Sequence, residues 1–308
     1  MSMTNRRGAR FFGGLLRLAH LGPAAACTAL TVMAGWSAAS RQGLSQGETR
    51  VRLARAAAAM FLAQISTGSL NDYFDRGADS VHQTYKPIVR RQVSPSAALV
   101  FALATGFAAL AVAKRCGRST LSVMGLGLAS GWSYDAGLSR TPLSWLPFVS
   151  GIMTVPWTGT TAVRARAERG VWMTAIAGLL GFGLHLANSG PDIARDKVAG
   201  RRNLPVILGL RATRNGTHLS LAAGMVLVVV TTPKEGRSLA RTGAIGCLAL
   251  LGMDRRLNSF RRTDGGHPFV LPVLATGLLS AGWLAGAARR SQPSGASDRS
   301  KAIGAVHL

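Results

Sequence analysis

Apolar blocks of roughly 20 residues recur along this chain, and each is separated from the next by a short, arginine-rich connection. As a helix, such a block is long enough to cross the hydrocarbon core of a bilayer. Within lipid every backbone N–H and C=O must find its partner inside the segment, so a chain of repeated blocks is confined to a helical bundle. Nine candidate spans follow, at approximately 18–39, 53–72, 95–113, 118–134, 143–162, 170–188, 213–232, 238–253 and 268–287. Gly and Pro interrupt the fourth and fifth. The expected fold is all-α, a polytopic membrane protein of about nine transmembrane helices.

Many of the 37 glycines lie inside these blocks beside Ala and Ser, where small residues let helices approach closely in lipid. Gly125, Gly127 and Gly131 predict one such packing face. The formal charge of +24 raises the question of nucleic acid. The Lys and Arg residues, however, sit in nearly every connection, where they flank helices and meet lipid phosphates. They do not gather on one face with interleaved aromatics. Membrane lipid is the expected partner, and a nucleic-acid partner is not.

Cys27, Cys116 and Cys247 lie within or beside apolar blocks with no Cys/His cluster, so neither a disulfide framework nor a zinc site is implied. The stretch from Leu18 to Ala39 is too long for a signal-peptide core and reads as the first span. Residues 1–290 form one expected domain, and 291–308, rich in Ser, Gly and charge, an expected disordered tail.

Against 36 basic residues there are only twelve acidic ones, so each carboxylate is informative. Eight of the twelve fall on the face of the even-to-odd connections. Three lie in Asn71-Asp72-Tyr73-Phe74-Asp75-Arg76-Gly77-Ala78-Asp79, directly after the second span. On one helix Asn71, Asp72, Asp75 and Asp79 share an arc of about 100°. A second run, His185, Asn188, Asp192 and Asp196, closes the sixth span, and its Asn and Asp residues predict one helical stripe. One such cluster is ordinary at a solvated helix end; two with matching Asn-to-Asp spacing, four spans apart, call for a shared cation. Carboxylates crowded at a membrane boundary need one, and their oxygens suit Mg²⁺, which shares its other positions with water and phosphate. Lys86, Arg90 and Arg91 follow the first run, while Arg195, Lys197, Arg201 and Arg202 accompany the second. Of these, Lys86, Lys197 and Arg201 are the candidates to neutralise a departing diphosphate. His185 reads as a packed helix histidine.

These residues resemble the UbiA-type intramembrane prenyltransferases, whose pattern is Asn-Asp-x-x-Asp-x-x-x-Asp in the first half and Asp-x-x-x-Asp-x-x-x-Gly in the second. Here the pattern is Asn71 to Asp79, then Asp192, Asp196 and Gly200, followed by Leu204-Pro205. The resemblance covers roughly residues 12–287. It implies helices around a central lipid-open cavity, and Mg²⁺-dependent transfer of a prenyl group from a polyprenyl diphosphate to a small, aromatic or related acceptor. By this resemblance Asp75, Asp79, Asp192 and Asp196 are the expected metal ligands. Asp72, Asp75, Asp192 and Tyr134 are the expected catalytic residues. Asn71, Lys86, Arg140, Asn188, Lys197 and Arg201 are the expected diphosphate-binding residues. Asp72 is either the group that takes up the acceptor's proton or a supporting partner.

Several positions depart from the family pattern. A run like the family's Tyr-to-Lys element begins at Tyr134, but Ser139 replaces the lysine and Arg140 stands one place later, about 100° round a helix. Lys86-Pro87 replaces Arg-Pro, and Arg91 stands where Gly is usual. The basic residue facing the acceptor from the first span is Arg17, or its role passes to His20. The run from His185 to Asp192, with Arg202-x-Leu204-Pro205, is most similar to bacterial members. The resemblance therefore implies a bacterial cytoplasmic membrane with the Asp-rich face cytoplasmic. Two other readings remain: a terpene cyclase on the same scaffold, and a transporter. A transporter needs charges deep within the spans, whereas these carboxylates cluster at span ends.

Overall fold

The structure, a computed structural model, describes residues 3–257 apart from 167, and residues 270–289. The expected disordered tail and the start of the ninth span lie outside them. Eleven α-helices are described: α1 (Met3–Leu18), α2 (Leu21–Gln42), α3 (Gln46–His82), α4 (Pro95–Cys116), α5 (Arg118–Ala136), α6 (Trp145–Ala162), α7 (Gly170–Ser189), α8 (Ile193–Val198), α9 (Leu204–Thr231), α10 (Arg237–Leu257) and α11 (Val270–Ala287). Among the described residues there is no strand.

Local chemistry sets several helix boundaries. Ser94 caps α4 by accepting the Ala97 N–H at 3.2 Å, with Pro95 in the first turn. Asn203 does the same for α9, accepting the Val206 N–H at 3.0 Å ahead of Pro205. Between α1 and α2 the chain turns by 49° at His20, whose φ is 44°. The first expected span is thus displaced: Leu18 ends α1, and the long helix begins only at Leu21.

Two packed clusters underlie the bundle. Ala59, Met60, Met124, Leu128 and Val155 join α3, α5 and α6. Ile176, Leu180, Leu221, Val228, Leu279 and Trp283 join α7, α9 and α11. Close helix approach relies on glycine: a Cβ on Gly159 would stand 1.9 Å from the Thr31 carbonyl oxygen, so α2 and α6 meet there only without a side chain. Of the predicted packing face, Gly127 rests on Thr154 and Gly131 on Thr67, whereas Gly125 meets open space.

Large apolar side chains ring the outside at mid-helix, including Val100, Phe107, Leu126, Leu219, Val226 and Ile245, as a lipid-facing belt requires. By length and apolarity alone, three segments qualify as spans, Pro95–Cys116, Gly170–Val198 and Val270–Ala287, and the bent α1–α2 pair makes a fourth. Of the remaining long helices, α3 and α10 carry several charges, whereas α6 is uncharged and falls short through its Pro, Gly and Thr residues. The 37 residues of α3 run about 55 Å, long enough to cross the bilayer and carry the first acidic run beyond it.

Candidate active site

The two acidic runs reach the same end of the bundle by different routes. The first rides the last turns of α3, where Asp72 and Asp79 are buried and Asp75 is one-third exposed. The connection after α3 folds back over them. Its Lys86 Nζ lies 2.8 Å from Asp72 Oδ1 and 2.9 Å from Asp79 Oδ2. Burial works against the Lys86 ammonium, but the Asp72 and Asp79 carboxylates outweigh it and hold its pKa above the ordinary lysine range. Burial also pushes Asp79 up; Lys86 counters this, and the charges of Asp75 and Asp72 add to it.

Arg91, where the family usually has Gly, closes this connection with a φ of 54°, the left-handed region that Gly occupies without cost. At the α1–α2 turn, His20 Nε2 stands 3.2 Å from Asp72 Oδ1, its ring pressed on Gly68, where a Cβ would come within 2.8 Å. Arg17 is exposed, so His20 is the basic residue of this region that meets the acidic run.

The expected single stripe through Asn188, Asp192 and Asp196 is broken. Pro191 has no N–H and cannot continue α7, so the chain passes through a 3-10 turn, Gly190–Asp192, before α8. Asp192 is partly exposed and pairs with Arg195 at 2.8 Å. Asp196 is buried, with Arg201 Nη1 on Oδ1 at 3.0 Å and Asn203 Nδ2 on Oδ2 at 2.7 Å. Gly200, the last residue of the family pattern, has a φ of 70° and turns the chain so that Arg201 donates its N–H to the Asp196 carbonyl. Lys197 points away: it is exposed and makes no ion pair among the described residues, because a six-residue helix that buries Asp196 turns the next position outward.

The segment between α5 and α6 joins the two runs. Arg140 ends a 3-10 turn, and its guanidinium lies 3.7 Å from Asp75 while its carbonyl accepts the Arg202 N–H at 3.2 Å. The one-place shift from the family's lysine therefore does not take this charge out of reach. Tyr134, packed on Phe148 and His185, faces Ser189 and Asn188 at the end of α7 and feels the Asp75 charge. His185 is fully buried, its Nε2 3.2 Å from Ser144 Oγ, which also accepts the Leu204 N–H at 3.2 Å. That arrangement is a packed histidine tying α6, α7 and α9 together.

Sequence reasoning passed over Asp135 and Asn203. Asn71 Nδ2 donates at 3.2 Å to both Asp75 Oδ2 and Asp135 Oδ1. Asp135 is buried, and its Oδ2 has no hydrogen-bond partner. Its position next to Tyr134 was the available signal; for Asn203 it was an Asn directly before Leu-Pro, the mark of a helix start.

For a divalent ion the donor set is chemically suitable: carboxylate and amide oxygens, neither thiolate nor imidazole, with one buried carboxylate oxygen lacking a donor. Among the described residues no three acidic, His or Cys side chains converge as ligands, since Lys86, Arg140, Arg195 and Arg201 hold the carboxylates instead.

An Asn- and Asp-bearing segment from each half of a helical membrane protein thus meets the other at one end, among basic side chains. The chain belongs to the UbiA prenyltransferase family, whose family model matches residues 28–275. Digeranylgeranylglyceryl phosphate synthase of Natronomonas pharaonis is 29% identical over 223 residues, covering 70% of this chain and 75% of that one. The bacteriochlorophyll synthase 33 kDa chain of Rhodobacter capsulatus is 26% identical over 52% of this chain and 57% of its own length. In structure, the chain is similar to a UbiA homolog from Archaeoglobus fulgidus bound to GPP and Mg²⁺, with a TM-score of 0.69, 18% identity, and coverage of 89% and 98%. It is an integral membrane prenyltransferase.

Proposed function

We propose that the chain transfers a prenyl group from a polyprenyl diphosphate, bound through Mg²⁺, to a small acceptor at the Asp-rich end of the bundle. One observation carries this reading: Arg140 links Asp75 by its side chain to the Arg202 segment by its carbonyl, drawing the two acidic runs together. Asp75, Asp79, Asp192 and Asp196 would hold the ion, with Asn71 and Asn188 coordinating or orienting. Bound there, Mg²⁺ would offset the charge developing on the diphosphate.

The chain's own residues do the rest. Lys86, Arg140 and Arg201 now neutralise carboxylates; with diphosphate present they can turn to its oxygens. Lys197, exposed on α8, would meet the diphosphate only from the rim. When the allylic C–O bond breaks, the electron pair leaves with the diphosphate, and apolar helix walls keep water from the carbocation. The acceptor then forms the new bond, and Asp72, paired with His20, takes up its proton while Tyr134 borders the reaction space.

The motif resemblance points to an aromatic acceptor. The names of the first relatives point instead to an oxygen of a glyceryl phosphate, and that is the class we favour. The Asp-rich face is proposed to be cytoplasmic, in a bacterial membrane. The test is a membrane assay with labelled prenyl diphosphates of several lengths, offered glyceryl phosphate lipids and aromatic acids, with and without Mg²⁺. Acceptor- and Mg²⁺-dependent product is the expected result. Hydrocarbon release without any acceptor would make the chain a cyclase, and no consumption of diphosphate under any condition would overturn the reading.

A further inference from the structure

A second polar recess lies at the opposite end of the bundle, between the ends of α2, α6, α7 and α11. α7 runs from this recess at Gly170 to the acidic cluster at Ser189, and its 20 residues separate the two by about 30 Å. Arg41, Arg166 and Arg169 stand on it, over a wall that includes Ser37, Met173 and Trp283.

These arginines are held in place without being neutralised. Arg41 Nη1 donates to Ser37 Oγ at 3.2 Å and to the Ala287 carbonyl at 3.4 Å, while Arg169 Nη1 donates to the Thr231 carbonyl. The Gln42 amide clamps the connection, donating to the Arg166 carbonyl at 2.8 Å and accepting the Arg166 N–H at 2.9 Å. Glu168 is near enough for Arg41 to feel its charge, yet none of the three arginines forms an ion pair among the described residues. Arg169 lies close enough to Arg41 for like charges to repel. Arg41 Nε is buried and has no hydrogen-bond partner. A buried N–H donor left unpaired beside a second guanidinium is costly, and one oxyanion relieves both penalties.

The surroundings say what kind of oxyanion. A guanidinium fork matches phosphate oxygens, and the wall beyond the arginines is apolar. One turn away Trp172 is 47% exposed and Val171 79%, as at the lipid–water boundary. We propose that this recess binds the phosphate-ester oxyanion of an anionic lipid headgroup on the membrane face opposite the active site. The occupant's phosphate sits between Arg41 and Arg169, with its acyl chains along α7 and α11. Free phosphate shares the chemistry but lacks the tails.

The test uses the purified full chain in neutral detergent, titrated separately with phosphatidylglycerol, phosphatidylcholine and inorganic phosphate. Bound lipid is counted by native mass spectrometry, and thermal unfolding is followed in parallel. One phosphatidylglycerol should be retained in preference to phosphatidylcholine, and R41Q/R169Q should weaken its retention at least about tenfold. R41K/R169K, which preserves the charge, should retain part of the binding, and guards against loss of fold in the double Gln variant. Stabilisation by inorganic phosphate alone, abolished in R41Q/R169Q, would keep the oxyanion site and make free phosphate its ligand. Equal retention of the two lipids, or phosphatidylglycerol binding unchanged in R41Q/R169Q, would overturn the proposal.

Discussion

The two acidic runs carry the same residue types to one place on opposite mechanical terms. The first belongs to a single unbroken helix, so Asn71, Asp72, Asp75 and Asp79 keep a fixed register, and a separate connection must return Lys86 to them. The second is broken at Pro191, and its short α8 turns tightly enough to supply its own partners, Arg195, Arg201 and Asn203. Each run has both buried and exposed members: Lys86 closes over buried Asp72 and Asp79, and Arg201 over buried Asp196, whereas Asp75 and the Asp192–Arg195 pair are partly exposed.

The sharpest way to break this pairing is to remove one carboxylate from each run. Asp75→Ala and Asp192→Ala should each lower turnover on the order of 10³-fold while the protein still inserts and stays helical, read by labelled-diphosphate consumption and circular dichroism. Full activity in either variant would leave that run without a part in the chemistry. Metal comes next in size. With prenyl diphosphate present, Mg²⁺ at about 100 times its Kd should stabilise the wild type by about 2.7 kcal/mol in a thermal melt, and chelation should reverse it. Each Asp variant should lose the shift; its survival in one would assign the ion to the other run alone.

Removing the cations separates a buried pair from a partly exposed one. Lys86→Met strands Asp72 and Asp79 and should cost about 3 kcal/mol of stability. Arg195→Met, at a partly exposed pair, should cost no more than about 1 kcal/mol, and similar losses would erase the distinction. Backbone effects are smallest. Gly200→Ala should destabilise by about 1 kcal/mol at a φ of 70°, and Arg91→Gly should stabilise by a similar amount at a φ of 54°, both read by thermal unfolding.

Much of this organisation was legible in the residues because membrane helices and carboxylate spacing are local signals. The mid-helix lipid belt and the register of residues 71–79 both followed from short-range periodicity. The broken second stripe was also local, since Pro191 announces it, yet the spacing of four from Asn188 to Asp196 concealed the interruption. The outward turn of Lys197, the reach of Arg140 to Asp75 and the double contact of Asn71 with Asp75 and Asp135 were not legible. The contacts of Arg140 with Asp75 and of Asn71 with Asp135 join distant segments that meet only in space, while the turn of Lys197 follows from where its short helix buries Asp196.

By itself, then, the chain's order of residues determined a helical membrane bundle, two acidic runs at helix ends, and the family to which such runs belong, because each rests on spacing within one helix. Only the tertiary structure decided which cation closes on which carboxylate, that Asp135 and Asn203 join the cluster, and that three arginines at the far end form no ion pair among the described residues. Partners of that kind are chosen by how helices pack, and packing is a property of the whole bundle.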